Sequence, residues 1–167
     1  MSPDITIRPA TAQDLPQVLA FIRELARYER LEAQMVATQA DLELALFGAR
    51  PYAEVVFGCL AGTPVGFALF FHNFSTFLGK PGIYLEDLFV RPAARGLGIG
   101  KCLLSWLART TLERGCARLD WAVLDWNAPS IGFYRSLGAV PLDDWTTFRL
   151  VGAGLERLAR SDVTAPA

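Results

Sequence analysis

Arg95, Gly96, Gly98, Gly100 and Lys101 form an Arg-Gly-x-Gly-x-Gly-Lys run between an apolar segment and an amphipathic one, a composition that suits a phosphate cradle. Glycines at alternate positions let the backbone turn tightly and present successive N–H groups, and a helix starting there adds the positive end of its dipole. Arg95 brings a fixed charge for a phosphate oxygen. Two familiar phosphate loops do not fit. A P-loop needs Gly five residues before the Gly-Lys pair and Ser or Thr after it, where this chain has Arg95 and Cys102. A dinucleotide fingerprint needs its third Gly at the place of Lys101. A tight turn without a ligand is the competing reading.

Three carboxylates stand where apolar residues are the rule. Glu29 shares a helical face with Leu15, Ile22 and Leu25, so it either snorkels out at the helix end or meets a cation. Glu86 and Asp87 interrupt a strand-like run of Ile83, Tyr84, Leu85, Leu88, Phe89 and Val90, where adjacent acids are costly unless used. Neighbours in a regular strand face opposite sides, which predicts that these two form no dyad. Asp87 is open to a structural hydrogen bond or to a cation.

The elements that must position these residues read as βααβββαβαβ. A strand at Ile5 to Arg8 precedes Thr11, which pairs with Asp14 in a capping box. Leu15, Val18, Leu19, Ile22, Leu25 and Ala26 mark one face of the first helix. Thr38 and Asp41 cap a second helix that Gly48 ends. Val55 to Leu60 and Val65 to Phe71 flank Gly62-Thr63-Pro64 as a hairpin, and Ile83 to Val90 is the next strand. Gly98 to Arg114 reads as a helix, Leu119 to Leu124 as a strand, and Pro129 to Leu137 as a short helix. The Val140 to Val151 region is expected to finish the sheet. Leu155 to Arg160 suits a last short helix, and 161–167 a frayed tail.

Composition narrows the chemistry. At 167 residues the chain suits one domain, 1–167, without staples. With 16 basic and 17 acidic residues, no basic field points to nucleic acid and no basic arm to a membrane. Cys59, Cys102 and Cys116 are scattered without a CxxC, which fits buried thiols in a reducing cytoplasm. His72 is the only histidine, too few for a His-based metal site or a Ser-His-Asp triad, so no metal is expected. No leader-like or membrane-spanning run is apparent, and a soluble cytoplasmic protein is expected.

Arg95, Gly98 and Gly100 also fill the Arg/Gln-x-x-Gly-x-Gly/Ala pyrophosphate loop of the GNAT superfamily of acyl-CoA N-acyltransferases, which this chain resembles. Four further stretches carry the resemblance: Ile7 to Thr11, Glu24 to Glu29, Tyr84 to Asp87, and Trp126 to Tyr134. Together they are similar to the diamine acetyltransferases, and Ala122 to Asn127 is similar to the thialysine-acetylating branch. The resemblance implies an α/β fold, a mixed central sheet flanked by helices and splayed between its fourth and fifth strands. Pantetheine would lie in the gap, with Leu88 N–H facing the thioester carbonyl as an oxyanion donor and Val90 pairing with pantetheine. Arg95, Gly96, Leu97, Gly98, Ile99, Gly100 and Lys101 would cradle the pyrophosphate of acetyl-CoA.

The resemblance also assigns roles to side chains. Tyr134 sits where the family places the tyrosine that protonates the departing sulfur, although Phe133 and Tyr134 equally suit anchors of an amphipathic helix. Asn127 suits a helix cap, a polar contact to CoA, or both, and Ser130 and Arg135 are further candidates for the CoA side. An alkyl ammonium has a pKa of ~10.4, so roughly one in a thousand is free base at neutral pH, and nearby acids matter. Glu29, Glu86 and Asp87 would bind the amine, with Glu86 as base, directly or through water. Trp145, after Asp143 and Asp144, is similar to the acidic-tryptophan segment lining the amine channel. Here the stretch from Tyr134 to Trp145 is shorter than in the polyamine enzymes, which alters one wall of that channel.

The implied activity is direct transfer of acetyl from acetyl-CoA to a small primary amine, a diamine, polyamine or thialysine-like amino acid, without an acyl-enzyme and in a homodimer. Two alternatives compete. One is a lysine or N-terminal acetyltransferase acting on peptides across an open groove. The other is a non-catalytic module that binds CoA.

Overall fold

A computed structural model describes residues 4–161, which fall into two compact units, one ending at Ala122 and one beginning at Val123. The first unit is built on a five-stranded sheet in the order β1 (Ile5–Pro9), β2 (Glu54–Leu60), β3 (Thr63–Ser75), β4 (Lys80–Val90), β5 (Leu119–Trp121). All neighbours are antiparallel except β4 and β5, which are parallel.

Helices α1 (Leu15–Tyr28) and α2 (Gln39–Phe47) pack on one face of this sheet. Their starts are set locally. Asp14 accepts from the N–H and hydroxyl of Thr11 at 2.8 and 2.9 Å, and Asp41 does the same for Thr38 at 2.8 and 2.7 Å. Of the apolar stripe of α1, Leu15, Val18, Leu19 and Leu25 are buried and Ile22 and Ala26 half-buried, with one addition: Phe21 is the aromatic centre of this core. It stacks on Phe67 at 5.4 Å and touches Phe57 and Phe89 at 5.8 and 6.3 Å. Truncating a buried Phe of this kind costs about 3–5 kcal/mol.

On the opposite face lies α3 (Ile99–Glu113), whose Ile99, Leu103 and Leu107 are fully buried. A Cβ at Gly58 would come within 2.6 Å of Ile99, so glycine lets the helix lie close to β2. Trp106 meets Phe70 edge-on at 5.9 Å. Cys59 and Cys116 are buried thiols and Cys102 is half-buried.

The second unit holds α4 (Ala128–Ser136) and α5 (Gly152–Ala159). Between them, residues 139–151 form no strand, so the expected final strand at Val140 to Val151 is replaced by irregular chain followed by a helix. The residues there have strand character, but a strand exists only where a neighbour accepts its ladder. The expected strand at Leu119 to Leu124 is likewise shortened to three residues. The tail expected to fray falls, for 162–167, outside the described residues. Ser161 itself is tied down, its N–H donating to Leu158 O at 3.2 Å and its hydroxyl to Arg157 O at 3.1 Å.

Candidate active site

The shortening of β5 has a cause in β4. Leu69 pairs with Asp87 while the next residue, Phe70, pairs with Leu85, so Glu86 is an extra residue bulged out of the ladder. A bulge bends its strand and disrupts pairing locally. Accordingly the parallel pairing with β5 runs only from Ile83–Leu119 to Leu85–Trp121, and 86–90 lack a strand on that side among the described residues. This is the splay expected of the sheet.

The same bulge decides what faces the open edge. Arg91 N–H donates to Val65 O, toward β3, and backbone directions alternate along a strand, so Leu88 and Val90 turn their N–H and C=O away from β3. Consistently, the Val90 carbonyl accepts from Arg95 Nε at 3.0 Å. Leu88 and Val90, the two residues expected to meet a ligand through their backbones, therefore lie on an edge of β4 that is unpaired among the described residues.

Side chains follow the switched alternation too. Asp87 lies opposite Leu69, which packs against the α1 core, so it faces α1. The regular alternation on which the expected separation of Glu86 and Asp87 rests is interrupted here by the bulge. Burial and the negative charges of Glu86 and Glu29 push the Asp87 carboxyl up to about 7. Glu29 is the residue just past the end of α1, half-buried, and burial raises its pKa. None of the three acids has an ion pair among the described residues.

The pH sign follows. An Asp raised above its unfolded value of ~3.9 stabilises the fold at acid pH, and that contribution is lost as pH rises to about 7. Asp87→Asn is therefore expected to raise Tm above wild type at pH 8, with the difference shrinking toward pH 5. Equal differences at both pH values would show that Asp87 ionises normally.

Beyond β4, a 3-10 turn at Pro92–Ala94 leads through Arg95 to Gly96 and Gly98, at φ 77° and 94°, a region favouring glycine. Gly98 is the N-cap of α3 and has no side-chain cap, so the first-turn N–H groups of Ile99, Gly100 and Lys101 are left for another acceptor. A Cβ on Gly96 would meet nothing within 4 Å, and one on Gly98 only Ile5 at 4.0 Å, so open space lies in front of the turn. An uncapped helix start, open space and an unpaired strand edge fit a pyrophosphate joined to an amide-bearing arm. Ile99 is buried and can offer only its backbone, whereas Leu97 and Lys101 are exposed.

Arg95, expected on the phosphate side, lies beside β4 and α1. Its guanidinium lies over the Tyr28 ring at 4.5 Å and the Phe89 ring at 5.8 Å while donating to Val90 O, so it is folded along β4 and α1. Sequence spacing gave Tyr28 no role of its own, although it lies within the Glu24 to Glu29 stretch that carries the family resemblance.

In the second unit, Asn127 is buried and caps α4, its Oδ1 accepting from Ser130 N–H at 3.4 Å. Tyr134 is half-buried on α4, its ring 5.5 Å from that of Phe133, and Arg135 is exposed in the last turn. Trp145 is 75% exposed in the irregular segment.

Residues 18–139 match the acetyltransferase (GNAT) family. Thialysine N-epsilon-acetyltransferase from Bos taurus is 36% identical over 93% of this chain and 97% of its own length. L-ornithine N5-acetyltransferase NATA1 from Arabidopsis thaliana is 30% identical over 94% of this chain and 89% of its own. An integron cassette protein from the mobile metagenome of V. cholerae superposes with a TM-score of 0.79 at 30% identity, over 96% of this chain and 99% of that one. A splayed sheet, a glycine turn opening α3 and these relatives agree: the chain is an N-acetyltransferase of the GNAT family.

Proposed function

We propose that this enzyme transfers acetyl from acetyl-CoA to a small primary amine, a diamine, polyamine or thialysine-like amino acid. In this reading the whole chain works as a single domain in the cytoplasm, as its length and cysteine usage suggest, and within a homodimer, as the family resemblance implies. The observation that carries the substrate class is the set of carboxylates at Glu29, Glu86 and Asp87, two of them with raised pKa values and none with a cationic partner among the described residues. A bound ammonium would supply the missing charge.

Acetyl-CoA supplies the activated acyl group when bound. Gly96 to Lys101 hold its phosphates through backbone N–H groups, and Val90 pairs with its amide-bearing arm once Arg95 releases the Val90 carbonyl. Leu88 N–H stands at the open edge as the preorganised donor for charge developing on the carbonyl oxygen. Glu29 and Asp87 orient the amine, and Glu86 takes its proton. Asn127, Ser130 and Arg135 serve the CoA side, Tyr134 returns a proton to the leaving sulfur, and Trp145 lines the amine channel. Direct transfer relies on holding both reactants at attack distance.

A panel of diamines, polyamines, thialysine, ornithine and lysine-containing peptides, assayed with acetyl-CoA, tests the class. Acetylation of peptides but no free amine would overturn it. Within that assay Glu29→Gln is expected to raise the amine KM about 10- to 100-fold, the range of a lost charge-assisted contact, while leaving the acetyl-CoA KM nearly intact. Equal losses for both substrates would mean that Glu29 supports the fold instead.

A further inference from the structure

The start of the glycine loop is fastened to helix α1 by a pair that the acetyl-transfer reading does not use. Arg91, the last residue before the 3-10 turn, donates from Nε to Glu24 Oε2 at 2.9 Å and from Nη2 to Glu24 Oε1 at 2.7 Å. Its guanidinium also lies over the Phe21 ring at 4.6 Å. The side chains of Arg91 and Glu24 are only 35% and 30% exposed, and the two residues belong to different elements. An exposed single-point pair is worth little, whereas a planar two-pronged contact held against an aromatic face fixes direction as well as distance.

Arg95 lands on the same helix one turn further on, over Tyr28. Phe21, Glu24 and Tyr28 are spaced three and four residues apart, one face of α1, and Glu29 follows directly. The helix that ends at an amine-side acid thus grips the loop that opens the cofactor side.

We infer that Arg91 and Glu24 are a positioning pair, which holds the loop from Pro92 to Gly100 in its ligand-ready place by locking its first residue to α1. The inference rests on the reading of this loop as the CoA cradle. In this role neither residue needs to touch the ligand. Their contribution is to remove freedom from the loop before binding, so that less is lost when CoA orders it.

The test is calorimetric titration of free CoA into Arg91→Met, Arg91→Lys, Glu24→Gln and the Arg91→Met/Glu24→Gln double variant, with amide hydrogen exchange of the ligand-free proteins. Arg91→Met keeps a long stem over Phe21 but loses the fork, and its CoA Kd should rise about tenfold, as for one lost charge-assisted contact. Arg91→Lys should recover part of the loss, because a point charge cannot reproduce the fork. The double variant should match Arg91→Met within about twofold, since both changes remove one contact. Exchange at Gly96 to Lys101 should quicken in step.

A folded Arg91→Met with wild-type CoA affinity and loop exchange would overturn the inference, leaving a structural ion pair. Multiplying losses in the double variant would also overturn it, because the residues would then act separately. Gly98→Val distinguishes this failure from failure of the cradle reading itself. If Gly98→Val loses CoA and Arg91→Met does not, only the positioning role falls; if neither loses it, the cradle is wrong.

Discussion

Tyr134→Phe is expected to lower kcat by about 10²- to 10⁴-fold, the usual contribution of a positioned general acid, with the fold and CoA affinity preserved. Only the hydroxyl is removed. The aromatic ring that packs 5.5 Å from Phe133 stays. Tyr134 lies on α4, seven residues after the Asn127 cap. A thiolate leaving group needs its proton at the moment of departure, so the loss should fall on kcat and on kcat/KM alike. Single-turnover measurement isolates the chemical step. A rate within about threefold of wild type, far below the range of acid catalysis, would return Tyr134 to a packing role.

Gly98→Val is expected to weaken CoA binding about 10- to 100-fold, through backbone conformation and crowding of the ligand. At φ 94° a β-branched residue is strained, and relaxing that strain would turn the first N–H groups of α3 away from their common focus. A side chain at Gly98 has nothing nearer than Ile5 at 4.0 Å, so packing makes no demand for glycine there and the backbone conformation does. Space before the helix start is what the substitution fills. Calorimetric titration with CoA, alongside circular dichroism to confirm the fold, reads the effect. Wild-type affinity in a folded Gly98→Val would rule out the cradle.

Local features were legible in the sequence because neighbours along the chain create them. Thr11 with Asp14 and Thr38 with Asp41 cap as their spacing requires, and the glycines at 96 and 98 take the left-handed conformation that singled them out. The apolar stripe of α1 and the run from Ile99 into α3 follow from a helical period and need no partner to be recognised. Resemblance supplied the family, and with it roles for Tyr134, Asn127 and Trp145 that spacing alone leaves open.

Tertiary structure decided what depends on pairing between distant segments. Strand length was one such matter: β5 stops at Trp121 and residues 139–151 form no strand, because a ladder ends where its neighbour bends or is missing. The bulge at Glu86 was another. Nothing in Leu85-Glu86-Asp87-Leu88 announces it, since it is a mismatch in register against β3, yet it turns Asp87 toward α1 and Leu88 toward the open edge. Long-range side-chain partners were the third, as Arg95 over Tyr28 and Arg91 on Glu24 show. Residue type and period fix what a segment prefers, but register and charge pairing are set only when separate segments meet.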